Sequence, residues 1–401
     1  MIRIALKMLL SDRAKYGALL FGIAFTSFLV SFAASYFAGM MTRGCALISE
    51  NPGVDVWVMD PAVRSVDLTI DMPASALGRV RSVPGVSSAV PLTLASTDLR
   101  FPDGRFQPVQ VIAVDDATLV GMPPLRDRAG LPLLRVTGSV VVDDGGSIGK
   151  LLTPVHPKDT WPMEHSGAHS GEEARTRHLR RGDEVLANDL LVRVAGVSDG
   201  LPRYPPRPIL FTTRSTAFQI LPPERHRMTF VLVQAAVGVD ANKLAASIEA
   251  ATGFRARSSK DFSTDTVLWT LAHSEDTGDA VTMLSIAVLV GFGVTGVMMF
   301  LFTSENMKYY ALFAAMGANM RQSMGMILAQ TGLCALLGTG LGLGLCILAG
   351  QLFSHAGFPF LLAWFAPLAG VVAVFVVSFA AAGLAAWLLS RMQPASFLEG
   401  R

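Results

Sequence analysis

From Ser323 to Ser390 the chain reads SMGMILAQTGLCALLGTGLGLGLCILAGQLFSHAGFPFLLAWFAPLAGVVAVFVVSFAAAGLAAWLLS, without one Asp, Glu, Lys or Arg. Two apolar runs lie in it, 323–350 and 367–389, joined by a short loop, 351–366. At 1.5 Å per residue each spans a hydrocarbon core of about 30 Å. Helices buried in a soluble core keep a polar face at a 3.6-residue period; these runs have none. The stretch therefore reads as two transmembrane helices, and the rest of the chain is arranged around them.

Upstream, 280–302 is a third run of spanning length. Gly17 to Met41 (GALLFGIAFTSFLVSFAASYFAGMM) is a fourth and carries no charge. A signal peptide is the competing reading of 17–41, but its apolar stretch would be shorter, and Ala34-Ser35-Tyr36 is a poor cleavage site. The reading is an uncleaved anchor, giving four transmembrane helices in all. The 51% hydrophobic and 16% charged content of the 401 residues agrees, and a net charge of +2 is too small to point to nucleic acid.

Short loops set the orientation. Arg3, Lys7, Arg13 and Lys15 precede the first span. Lys308 and Arg321 lie in 303–322, Arg391 and Arg401 in the tail 390–401, and 351–366 has no Lys or Arg. The positive-inside rule puts the segment 1–16, the loop 303–322 and the tail in the cytoplasm, and 42–279 outside. That outer domain reads as mixed α/β. Ser65–Ile70, Pro73–Ser82 and Val86–Leu94 form one strand-helix-strand unit; Thr229–Gln234, Val239–Ala251 and Phe254–Ser258 form another. Strands at 109–114, 138–142, 190–197 and 207–212 lie between, so a subdomain (111–227) is expected inside a framing one (42–110 and 228–265). Asp265–Ala280 is expected to continue the second span outward as a stalk.

The cytoplasmic loop reads SENMKYYALFAAMGANMR (304–321), with Tyr310, Phe313, Ala314 and Gly317 at helical spacing and glycine closing the helix. It is either an ordinary interfacial helix or a docking element. KYYALFAAMGA resembles the segment between the second and third helices of FtsX/MacB-like ABC transporter permeases, with Tyr310-Ala311 nearest the DevC-like branch. The layout of one span, a large outer domain, three spans and a tail is similar too. So are Pro394, Ala395 and Leu398 in the tail, Val83-Pro84-Gly85-Val86, and Gly182-Asp183-Glu184-Val185. Tyr309 and Ala314 depart from the family's usual Glu and Lys or Arg.

The resemblance implies a non-catalytic permease subunit that works by mechanotransmission. A separate cytoplasmic ABC ATPase dimer would hold ATP and Mg, and this chain would bind no cofactor itself. It further implies that this chain sits in a bacterial inner membrane with a second copy of itself, and that a periplasmic adaptor and an outer-membrane channel are its partners. The coupling contacts would fall on Lys308, Tyr309, Tyr310, Phe313, Ala315, Met316 and Gly317, and the export product would be a lipid, glycolipid or other hydrophobic substrate. An FtsX-type regulator of a cell-wall hydrolase and a Lol-type lipoprotein extractor remain alternatives. A membrane-anchored enzyme does too, although no nucleophile-base pattern is visible.

Four further features each have a plainer reading beside the functional one. Gly338, Gly340, Gly342 and Gly344 make two interleaved small-xxx-small pairs, suited to close helix packing or merely tolerated in lipid. His165 and His169 are four apart in the polar insertion 145–182, which reads as a mobile loop; they are weak metal ligands, solvated residues being the better reading. Gly145–Lys150 fails as a phosphate loop, because Asp144 and Leu151 stand where glycine and Ser or Thr are required. Of the three cysteines, Cys334 and Cys346 are too far apart on one helix to bridge, and Cys45 has only a second copy to pair with.

Overall fold

The structure, a computed structural model, describes residues 13–126, 130–143, 150–155, 176–225, 227–305, 309 and 320–391. It divides into two compact units, 41–273 and 1–40 with 274–401. The chain begins with α1 (Arg13–Gly44) and α2 (Ala46–Ser49), then runs through β1 (Val56–Met59), α3 (Ser75–Arg81), β2 (Val86–Arg100) and β3 (Phe106–Val114). It continues with α4 (Gly130–Leu134), β4 (Ser139–Asp143), β5 (Leu152–Pro154), β6 (Thr176–His178), β7 (Glu184–Ala187), β8 (Leu190–Ser198), β9 (Ile209–Thr213) and α5 (Arg214–Ile220). The outer unit closes with β10 (Phe230–Ala235), α6 (Ala241–Thr252), β11 (Arg255–Ser258) and α7 (Ser259–His273). Then follow α8 (Glu275–Glu305), α9 (Met320–His355) and α10 (Phe365–Arg391).

In the outer unit, β11-β1-β10-β2 is an antiparallel sheet in which β1-α3-β2 and β10-α6-β11 interleave, a split β-α-β arrangement. One face packs Val56, Val58, Val231 and Val233 against Ala76 and Val80 of α3 and Leu244 and Ile248 of α6. The other carries the rings of Trp57, Phe230 and Phe262, with centroids 5.5–5.9 Å apart. β2 is long enough to enter a second assembly. There β2, β3, β9, β4, β8 and β7 pair in turn, and β7 pairs back onto β2 at Leu99–Ala187 and Arg100–Leu186. The ring is therefore closed, a six-stranded barrel whose interior is filled by Leu99, Val111, Val140, Val185 and Leu210.

The mixed α/β reading of this unit holds, and several of its details change. No strand forms at 65–70: Ser65 Oγ accepts from Asp67 N–H, and Leu68 N–H bonds back to Ser65 O, so the segment curls into a turn. The strand is β1, VWVM, buried throughout. Its two faces meet different cores, so it shows no polar alternation to read. The barrel takes in the end of β2 and all of β3, so the boundary between subdomains lies inside β2 and not at residue 111. The expected stalk is not one helix: α7 ends at His273, and Ser274 separates it from α8, whose first turn carries Glu275 and Asp276. That acidic first turn is the signature of a new helix start.

Among the described residues three helices are long and apolar enough to cross a membrane, over Tyr16–Gly44, Glu275–Phe302 and Leu328–His355. The expected fourth span falls within α10, whose apolar stretch among the described residues, Phe365–Ala380, is shorter than that.

Candidate functional site

In the membrane-type unit α1 is the helix on which the others converge. Of its apolar window 56% is buried, against 18% for α8 and 33% for α9. Small residues allow the approach. Thr26 Oγ1 lies 2.8 Å from Thr295 Oγ1 and 3.1 Å from Gly291 O of α8. Ser27 Oγ donates to Thr339 O of α9 at 3.3 Å, and Gly370 of α10 sits against Ser31. A Cβ at Gly291, Gly338, Gly342 or Gly370 would collide with α1 atoms.

The four glycines singled out in α9 thus fall on two faces. Gly338 and Gly342 contact Ile23, Ala24 and Ser27 of α1, while Gly340 and Gly344 have nothing within 4 Å of a Cβ placed on them. The interleaving hid this, since residues two apart on a helix point apart. Of the loop residues, Tyr309 is helical and 54% exposed. Lys308, Tyr310, Phe313, Ala315, Met316 and Gly317 lie outside the described residues, as do His165, His169 and 144–149. Among the described residues no group of three His, Cys, Asp or Glu is placed to hold a metal. Cys45 is buried and its Sγ lies 3.5 Å from Ser263 O. Burial, with Asp67 nearby, pushes its thiol up to about 11. No exposed thiol is left there for the bridge to a second copy that the cysteine count allowed.

The outer unit holds a constellation that sequence reasoning missed. Glu50, just past α2, accepts from Leu201 N–H and from Arg203 Nη2, the latter at 2.8 Å. The two charged side chains are only 10% and 6% exposed. Burial raises the Glu50 carboxyl, with Arg203 and the Leu201 N–H opposing. Beside them Arg207 pairs with Asp67 at 3.3 Å, and Ser198 Oγ donates to Asp143 at 2.9 Å. The Glu50 and Asp67 contacts fasten the β8–β9 connection to the segment after α2, and the Ser198–Asp143 bond ties the end of β8 to that of β4. Glu50 and Arg203 stand 153 positions apart, so no local pattern links them. A cleft of about 230 Å³ lined by Thr69, Asp71, Leu94, Ala95, Ser96 and Gln110 opens on the β2–β3 face.

Two of the segments that carry the family resemblance, 83–86 and 182–185, contain a glycine with positive φ. Gly85 and Gly182 both have φ +94°, a conformation open to glycine, and Asp183 takes two bonds from Arg177 at 2.5 and 2.8 Å.

Residues 281–394 contain α8, α9 and α10 except the first residues of α8. They match the FtsX-like permease C-terminal family. The match covers less than half of the chain, and no curated protein matches it. Among solved structures, the periplasmic region of MacB from Actinobacillus actinomycetemcomitans is similar at 14% identity and TM-score 0.35, over 58% of this chain and 96% of that one. The extracellular domain of the noncanonic ABC-type transporter YknZ from Gram-positive bacteria is similar at 12% identity and TM-score 0.30, over 51% and 98%. A domain of a putative permease protein from Porphyromonas gingivalis follows at 13% and 0.29, over 50% and 84%.

Proposed function

We propose that this chain is the membrane subunit of an ABC transporter of the FtsX/MacB-like kind, working with a separate cytoplasmic ATPase that holds ATP and Mg. The observation that carries the reading is the FtsX-like permease match over 281–394. In this reading α10 is the fourth span, both termini and 303–322 are cytoplasmic, and the outer unit is periplasmic. The chain works as a homodimer. Closure of the ATPases moves the loop around Lys308–Gly317, and α8 and α9 pass the motion to α1 through Thr26, Thr295, Gly338 and Gly342. The apolar runs 17–41, 280–302, 323–350 and 367–389 hold no Asp, Glu, Lys or Arg, which suits transmission of force rather than passage of a polar solute. The product is a lipid, glycolipid or other hydrophobic molecule, handed to a periplasmic adaptor and an outer-membrane channel, as in the DevC-like branch.

The test is purification of the intact protein from native membranes with mass spectrometry and an ATPase assay. An ATP-binding subunit in about equal amount is expected, with hydrolysis lost in Gly317→Leu and in Phe313→Asp. Failure to recover any ATPase under several mild detergents would sink the reading.

A further inference from the structure

Between α9 and α10 the chain runs through Gly357 and then FPFLLAWF (358–365), which holds no charged or polar side chain. Loops in water are rich in polar turn formers, yet this one turns its apolar side chains outward. Trp364 is 79% exposed, and Phe358, Leu361 and Leu362 are 42–49% exposed. They continue the exposed side chains of Leu348 and Leu352 at the end of α9 and of Leu368 and Val372 at the start of α10. An apolar surface of that continuity marks a contact with lipid or protein.

The inner side of the segment is fixed. Leu361 N–H donates to Ser35 O of α1 at 3.1 Å. The Phe32 ring of α1 sits between those of Phe353 and Phe360, at 5.6 and 5.5 Å. Gly39 leaves room for the Pro359 carbonyl, and Gly350 for the Phe360 ring; a Cβ at either would collide. The N–H groups of Phe358, Phe360 and Ala363 bond to Phe353, Phe358 and Leu361 carbonyls. Non-helical backbone is tolerated at hydrocarbon depth where it packs on protein, as Pro359, Phe360 and Leu361 pack on α1.

We propose that residues 358–365 lie in the acyl-chain region of the bilayer as a non-helical wedge fastened to α1, with phospholipid acyl chains as its partner. The proposal rests on the membrane reading above. Because Pro359, Phe360 and Leu361 are held by Phe32, Ser35 and Gly39, a movement of α1 carries the wedge through the lipid.

The test uses the full-length protein, whose described cysteines are all buried, with Trp364→Cys carrying an environment-sensitive fluorophore in phospholipid vesicles. Two references carry the same label: Val237→Cys in an exposed turn of the outer unit, and Leu345→Cys on the exposed face of α9. At Trp364→Cys the label is expected to be quenched by lipids brominated high on the acyl chain, and several-fold less by aqueous iodide than at Val237→Cys. Gly39→Val, or Phe360→Ala should the first fail to insert, is expected to raise iodide quenching at the same label. If Trp364→Cys behaves as Val237→Cys while Leu345→Cys is quenched by lipid, the wedge is overturned and the membrane reading stands. A label shielded from both quenchers means that protein covers the loop, which also overturns it. Unchanged quenching in Gly39→Val and Phe360→Ala overturns the fastening to α1. If lipid quenches neither Trp364→Cys nor Leu345→Cys, the membrane reading itself fails.

Discussion

Asp265, on α7, receives Arg255 Nη2 at 2.6 Å and Arg257 Nε at 2.7 Å, and so ties β11 to the helix that follows it. Burial alone would raise its carboxyl, but the bonds and charges of the two arginines outweigh it and hold the group below the ordinary range. A depressed carboxyl stabilises the fold at pH values above its unfolded pKa, about 3.9, and the stabilisation fades as pH falls through the folded value. Asp265→Asn should therefore cost about 2 kcal/mol at neutral pH, and the gap from the parent should narrow below pH about 4. Urea unfolding at several pH values measures it; a gap that stays constant into acid would refute the ionic account. The Glu50–Arg203 pair is different because both side chains are almost wholly buried. Arg203→Met alone leaves a buried carboxylate and should cost about 3 kcal/mol, whereas Glu50→Leu with Arg203→Met should recover most of that. A double variant as unstable as the single one would show that the pair does more than offset its own desolvation.

At the scale of elements, α9 offers an internal control. Gly342→Leu drives a side chain into Ala24 and Ser27 of α1, while Gly344→Leu meets open space. Overpacking of this kind costs about 1–3 kcal/mol, so thermal aggregation in detergent should shift down for Gly342→Leu and little for Gly344→Leu. The reverse order would show that the seam is misplaced, and equal loss at both would point to a second copy on the outer face. Some elements announced themselves in the sequence. Asp240 caps α6 by accepting from the Asn242 and Lys243 N–H groups, and Gly253 ends it at φ 71°. Others gave no local sign. The break at Ser274, inside the segment 265–280 expected as a continuous stalk, is marked only by the acidic pair Glu275 and Asp276 that follows it.

For the whole molecule, the outer unit has its own cores and a closed barrel, and its nine-stranded sheet needs no residue from outside 41–273. Residues 45–273 expressed alone should be soluble and unfold cooperatively, as followed by calorimetry and the Trp57 emission; aggregation of that fragment would mean that its fold depends on the helices. The sequence by itself determined what depends on composition and period. The long uncharged runs and the α/β character of 41–273 are consequences of hydrophobicity and local backbone preference, which act over a few residues. Only the tertiary structure decided which glycine pair faces α1, that β7 closes the barrel onto β2, and that Glu50 meets Arg203. Those depend on which distant segments share space, and a helix face, a strand edge or a lone carboxylate has many possible partners until the fold selects one.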